Sequence, residues 1–115
     1  MTIEIINKIP SQNFSDPLIH FFSNNMKASL NEHLMALILF GSRARGDARE
    51  HSDHDILVIV DKKTKEIKEK IIDVEVDTLN EFDKLTSSLI WEESEWSLKK
   101  RFPIGINILR DGVLL

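Results

Sequence analysis

The side chains with chemistry to offer crowd into one stretch, Gly41-Ser42-Arg43-Ala44-Arg45-Gly46-Asp47-Ala48-Arg49-Glu50-His51-Ser52-Asp53-His54-Asp55. Asp53 and Asp55 stand two apart just before the β-branched run Ile56-Leu57-Val58-Ile59-Val60, so on a strand both carboxylates project from one face. Two oxygen ligands so placed suit a shared hard cation. Magnesium held by one or two carboxylates plus substrate phosphates is the usual arrangement for nucleotide chemistry. Upstream, Gly41-Ser42 closes the apolar run Leu34 to Phe40. A glycine there lets the backbone turn sharply and a ligand come close, and the following amides with the Ser42 hydroxyl can donate to phosphate oxygens. Each feature alone is weak, because most Gly-Ser pairs are ordinary turns and most isolated Asp-x-Asp triplets are solvated strand starts.

The two features meet only if the surrounding elements bring them together. The runs 34–40 and 56–60 are too short for buried helices and are bounded by polar segments, so both read as buried strands. If they are adjacent and antiparallel, the loop 42–52 places Gly41-Ser42 beside Asp53 at one end of the sheet. Before them, Asp16-Pro17 is a helix start, and Leu18, Phe21, Phe22, Met26 and Leu30 recur at helical spacing to about Asn31. After them, residues 62–72 read as a short surface helix, with Glu66 and Lys70 one turn apart. The sequence Asp73-Val74-Glu75-Val76-Asp77-Thr78 alternates strictly and predicts a third strand with Asp73, Glu75 and Asp77 on one face. Such a strand would bring another carboxylate to the metal site, although an acidic edge strand that resists aggregation has the same pattern. Leu79 to about Leu89 reads as helix. The stretch around Trp91 and Trp96 is ambiguous, Pro103 opens another short helix, and Asp111-Gly112 turns into a last strand, Val113 to Leu115. The fold class is α/β (α+β): one domain over residues 1–115, a small mixed sheet with helices packed against it.

Gly41-Ser42, ten intervening residues, Asp53-His54-Asp55 and the strand that follows resemble the signature of the DNA polymerase β-like nucleotidyltransferase superfamily. Gly41-Ser42-Arg43-Ala44-Arg45-Gly46-Asp47 closely resembles its minimal nucleotidyltransferase branch. The leading helix, the acidic segment 73–77 and the ending Ile-Leu-Arg-Asp-Gly-Val-Leu-Leu extend the likeness over most of the chain. The resemblance implies a nucleotidyltransferase fold in which Gly41 and Ser42 hold the triphosphate of ATP and Asp53 and Asp55 hold two Mg2+ ions. It also implies a third carboxylate, for which Glu75 is the central candidate and Asp77 or Asp73 the alternatives. Arg43 is the favoured cation for the phosphates, with Arg45 and Arg49 beside it. His54 stands where such domains more often carry an apolar residue. It should face away from Asp53 and Asp55 as a hydrogen-bonded histidine. His20, His33 and His51 carry no signal of their own.

Composition sets the remaining bounds. The chain has 115 residues and a formal charge of −4, which disfavours an extended nucleic-acid surface. It has no cysteine, which removes disulfide, thiolate-zinc and cysteine-nucleophile chemistry and suits a reducing cytoplasm. No apolar run reaches the length of a membrane span and no signal peptide is evident. No segment is left for an acceptor-binding domain, so acceptor specificity is expected from a partner or from further copies of the chain. The resemblance implies transfer of AMP to a hydroxyl of a partner protein, a small helical HEPN toxin to which this chain would be the antitoxin. The competing readings are a catalytically silent module that docks on its partner, with Trp91, Trp96 and Phe102 as candidate anchors, or a transferase acting on RNA or a small molecule.

Overall fold

The computed structural model describes residues 9–10, 16–49 and 53–115. Helix α1 (Pro17–Leu30) leads through a 3-10 turn (Asn31–His33) into strand β1 (Leu34–Phe40). A one-turn helix α2 (Ser42–Arg45) follows, then β2 (His54–Val60), the long helix α3 (Lys65–Phe82) and β3 (Thr86–Glu92). Helices α4 (Glu93–Lys99) and α5 (Pro103–Asp111) and the short strand β4 (Val113–Leu114) complete the chain. The four strands form one mixed sheet in the order β3-β2-β1-β4. β1 runs antiparallel to β2 and to β4, and β2 runs parallel to β3. The expected adjacency of the first two strands therefore holds.

The sheet is covered on both faces, which explains why its central strands are apolar over Leu34–Phe40 and from Ile56 to Val60. On one face, Leu37, Leu39, Ile56, Val58 and Val60 pack against Phe22, Met26 and Leu30 of α1 and Ile67, Ile71 and Val74 of α3. On the other, Ala36, Ile38, Leu57 and Ile59 pack against Trp91, Trp96 of α4 and Ile108 of α5. Burying each such Leu, Ile or Phe contributes about 1.5–3 kcal/mol. Trp91 and Trp96 stack with ring centroids 6.1 Å apart, and the Lys99 ammonium lies 5.1 Å from the centre of the Trp91 ring. Both tryptophans are thus core residues, while Phe102 is exposed.

The segment 73–78 is helical, not a strand, and belongs to α3. Its alternation spans only six residues inside a longer pattern in which Ile67, Ile71, Val74 and Thr78 return at helical spacing and are the buried positions. Val76, apolar in the alternation, is exposed. Thr64 caps the helix, its Oγ1 accepting from the Ile67 amide at 3.1 Å, and Asp83 ends it in the left-handed conformation with φ 54°. The expected helix over Leu79 to Leu89 accordingly stops at Phe82, and the third strand is β3.

Candidate active site

The backbone at Gly41 fixes the geometry of the site. Phe40, the last residue of β1, pairs with Asp55 on β2, and the chain then turns at Gly41 with φ 73° and ψ −157°, a region open essentially to glycine alone. A Cβ at Gly41 would lie 2.5 Å from Asp55 Oδ2, so the turn presses directly on that carboxylate. Ser42 begins α2, where an amide has no acceptor within the helix. The turn closes with the Ala44 and Arg45 amides donating to the Gly41 carbonyl, each at 3.1 Å, and with Gly46 in the left-handed conformation at φ 82°. The sequence expectation that Gly41-Ser42 and Asp53-x-Asp55 share one end of the sheet is met.

Residues 53–55 divide between the two faces of the sheet. Asp53 is exposed and Asp55 half-buried on the side of Leu57 and Ile59. His54 points the other way and is buried, and its Nε2 meets Asp16 Oδ2 at 2.9 Å. The same Asp16 carboxylate caps α1, its Oδ1 accepting from the Leu18 amide at 2.9 Å. One side chain therefore joins the start of α1 to the start of β2. Burial alone would raise the Asp16 pKa, but the His54 hydrogen bond and the Leu18 amide outweigh it and hold the carboxyl below its usual range. For Asp55 the balance goes the other way. Burial and then the charge of Asp53 push its pKa up, while His54 and Arg45 act in the opposite sense. A bound cation would relieve that repulsion. An all-oxygen pair of carboxylates next to a tight glycine turn fits one hard divalent ion completed by ligand oxygens.

Arg43 and Arg45 are anchored differently. Arg43 donates from Nη2 to the Arg49 carbonyl at 3.3 Å and lies near enough to Asp16 to help keep it ionised. The charge of Arg45 reaches Asp55. Its guanidinium is held by Asp47 at 3.2 Å and by Asp111, at the end of α5, at 3.8 Å. The sequence shows both arginines but not the groups that anchor them.

Glu75, Asp73 and Asp77 do not join the aspartate pair. All three lie on α3, which covers the face of the sheet opposite Asp55. Asp73 and Asp77 are exposed, and Glu75 is half-buried beside Ser88. Burial raises the Glu75 pKa, moderated by Ser88 beside it. Ser88 shares its register position with Ile56, whereas Ser87 is level with Asp55. Ser87 is thus the β3 residue level with Asp55 on the aspartate face, and no signal in the sequence marks it because the sequence does not reveal β3. Among the described residues, no group of three acidic or histidine side chains is placed to hold a metal ion. Glu50 and His51 lie outside the described residues. No described helix is long and apolar enough to cross a membrane.

Comparison with known proteins adds an independent line. The family model described as "Polymerase beta, Nucleotidyltransferase" matches residues 22–111. A protein of Methanocaldococcus jannaschii, provisionally named a protein adenylyltransferase, is 30% identical over 94 residues, covering 82% of this chain and 90% of its own. A second protein of that organism with the same provisional name is 36% identical over 78 residues, 67% of this chain and 79% of its own. Among solved structures, a toxin-antitoxin crystal structure with AMP-PNP superposes with a TM-score of 0.52 at 15% identity, covering 81% of this chain and 68% of that one. A crystal structure described as a nucleotidyltransferase superposes with a TM-score of 0.50 at 20% identity, over 84% and 96% of the two chains. These superpositions bear on the fold alone.

Proposed function

Because this chain belongs to the polymerase beta nucleotidyltransferase family, and is therefore a nucleotidyltransferase, we propose that it transfers AMP from ATP to a hydroxyl of a partner protein. The observation that carries the reading is the contact of the Gly41 turn with Asp55, beside Asp53. The provisional names of the two archaeal relatives support a protein acceptor and adenylyl transfer. In this reading Asp53 and Asp55 hold Mg2+ and, through it, the ATP phosphates. Magnesium bound there would supply charge neutralisation on the transferred phosphate and on departing pyrophosphate. Gly41 lets the phosphates approach the backbone, and the Ser42 amide and hydroxyl donate to them. Arg45, steadied by Asp47 and Asp111, adds positive charge at that end of the sheet. His54 and Asp16 touch no substrate and hold β2 against α1. The acceptor is proposed to be a small helical HEPN-type toxin, with this chain as its antitoxin.

One observation favours the alternative of a silent docking module: the acidic residues expected to complete the site face away from it. A single experiment separates the two. The purified protein is incubated with Mg2+, ATP and its partner, and the partner is weighed by mass spectrometry. Addition of one AMP, lost in Asp53→Ala and Asp55→Ala, is the expected result. Unchanged addition by those variants overturns the metal-site assignment, and partner inhibition with no mass change establishes docking alone.

A further inference from the structure

We propose that Ser87 occupies a third position of the cation site that this chain leaves without a carboxylate, so that the protein by itself binds one divalent ion per chain. The inference rests on the reading of Asp53 and Asp55 as metal ligands and concerns what stands next to them. Strand β3 lies parallel to β2 in unbroken register from His54↔Thr86 to Val60↔Glu92, and Asp55 pairs with Ser87. Partner residues on neighbouring strands point to the same face, about 5 Å apart. Ser87 is therefore the side chain flanking Asp55 on the β3 side, and Phe40 is the one flanking it on the β1 side. Phe40 offers no ligand atom. Ser87 is exposed, so neither packing nor a buried hydrogen bond dictates its identity. The adjacent Ser88 faces α3, with Glu75 beside it, which puts that carboxylate behind the sheet.

The chemistry follows from ligand count. Two carboxylates offset the charge of one divalent ion and leave most of its coordination shell to water or phosphate oxygens. A hydroxyl at position 87 can accept or donate a hydrogen bond to such a water but adds no charge. The ion count of the nucleotide-free protein is accordingly one, and any further ion has to be brought by the nucleotide.

The test uses Mn2+ as probe on the full chain without nucleotide, with the bound ion counted by electron paramagnetic resonance and its affinity taken from calorimetry. One Mn2+ per chain is expected in the wild type. Ser87→Asp should tighten Mn2+ binding about tenfold, since affinity scales with the charge of the ligand set. Ser87→Asn, of the same shape without the charge, should leave it unchanged. Thermal melts read the same effect independently: Ser87→Asp should melt lower than wild type without metal, from the added repulsion, and recover when Mn2+ is supplied. Two Mn2+ ions of equal affinity in the wild type, or Ser87→Asp indistinguishable from Ser87→Asn, would overturn the inference while leaving the aspartate pair intact. Retention of full Mn2+ affinity by Asp55→Asn would instead remove the metal reading itself, and this inference with it.

Discussion

Replacing Gly41 by alanine tests the link between the turn and the carboxylate. Two costs are expected, and they are separable. The first is backbone strain: φ 73° with ψ −157° lies where side-chain-bearing residues cost about 1–3 kcal/mol. The second is contact, because the added Cβ would stand 2.5 Å from Asp55 Oδ2 and force that carboxylate to move. The carboxylate is the end of a side chain and can swing, so the contact costs less stability than position. With strain near 2 kcal/mol, a domain of this size should melt about 6–12 °C lower. Gly46→Ala is the matched control. It has φ 82° and also pays for a left-handed backbone, about 1–2 kcal/mol, but a Cβ there meets nothing within 4 Å. Scanning calorimetry should therefore show both variants destabilised, while Mn2+ binding and adenylyl transfer fall at least tenfold in Gly41→Ala and stay near wild type in Gly46→Ala. In an Asp55→Ala background the Gly41 substitution should cost less than in the wild type, because the atom it displaces is gone. Equal metal affinity in the two glycine variants, or strict additivity with Asp55→Ala, would refute the claim that the turn positions Asp55 by contact.

Three further outcomes follow from the placement of charged groups. Glu75→Gln should keep both AMP transfer and metal affinity within about twofold of wild type, as expected for a side chain on the far face of the sheet; a steady-state assay showing complete loss would return Glu75 to the site. His54→Ala should lower stability in urea by about 2–3 kcal/mol, because it opens a buried space and strips Asp16 Oδ2 of its partner; a loss below half a kcal/mol would show that the pair does not anchor β2. Glu95, drawn down to about 2 first by Lys63 and then by the Glu92 amide and Lys99, contributes stability that is complete above the ordinary glutamate pKa and is lost as pH falls through about 2. Glu95→Gln should thus cost less than about 1 kcal/mol at pH 7, because solvent screens the pair, and the difference from wild type should vanish in melts at the acid end of that window.

The aspartate pair, the glycine turn and the two central strands were legible in the sequence because each is a short, strongly patterned signal. Apolar runs of seven and five residues leave few alternatives, and Asp16-Pro17 marks the start of α1 as observed. The third strand was not legible, for a physical reason. Asp73 to Thr78 alternates as a strand would, yet Thr64 already caps a helix whose buried residues return every three to four positions through Thr78. Over six residues the two periods cannot be told apart by hydrophobicity, and the longer window decides for the helix. Among the described residues β3 is an edge strand beginning Thr86-Ser87-Ser88, too polar at its start to stand out. Losing β3 meant losing Ser87 and expecting residues 73–77 on a strand beside the aspartate pair, when they lie on α3 across the sheet.

Residues 53–55 bear on opposite halves of the molecule, since Asp53 and Asp55 look toward α4 and α5 while His54 looks toward α1. The pleat couples those halves: a rotation of β2 that eases crowding beneath α1 also carries Asp55 away from Gly41. Packing changes at Phe22 or Met26, deep under α1 and remote from any substrate, should therefore surface first as weakened metal affinity and only later as unfolding. The hydrophobic core beneath α1 thus bears on the placement of Asp55 as well as on the stability of the fold.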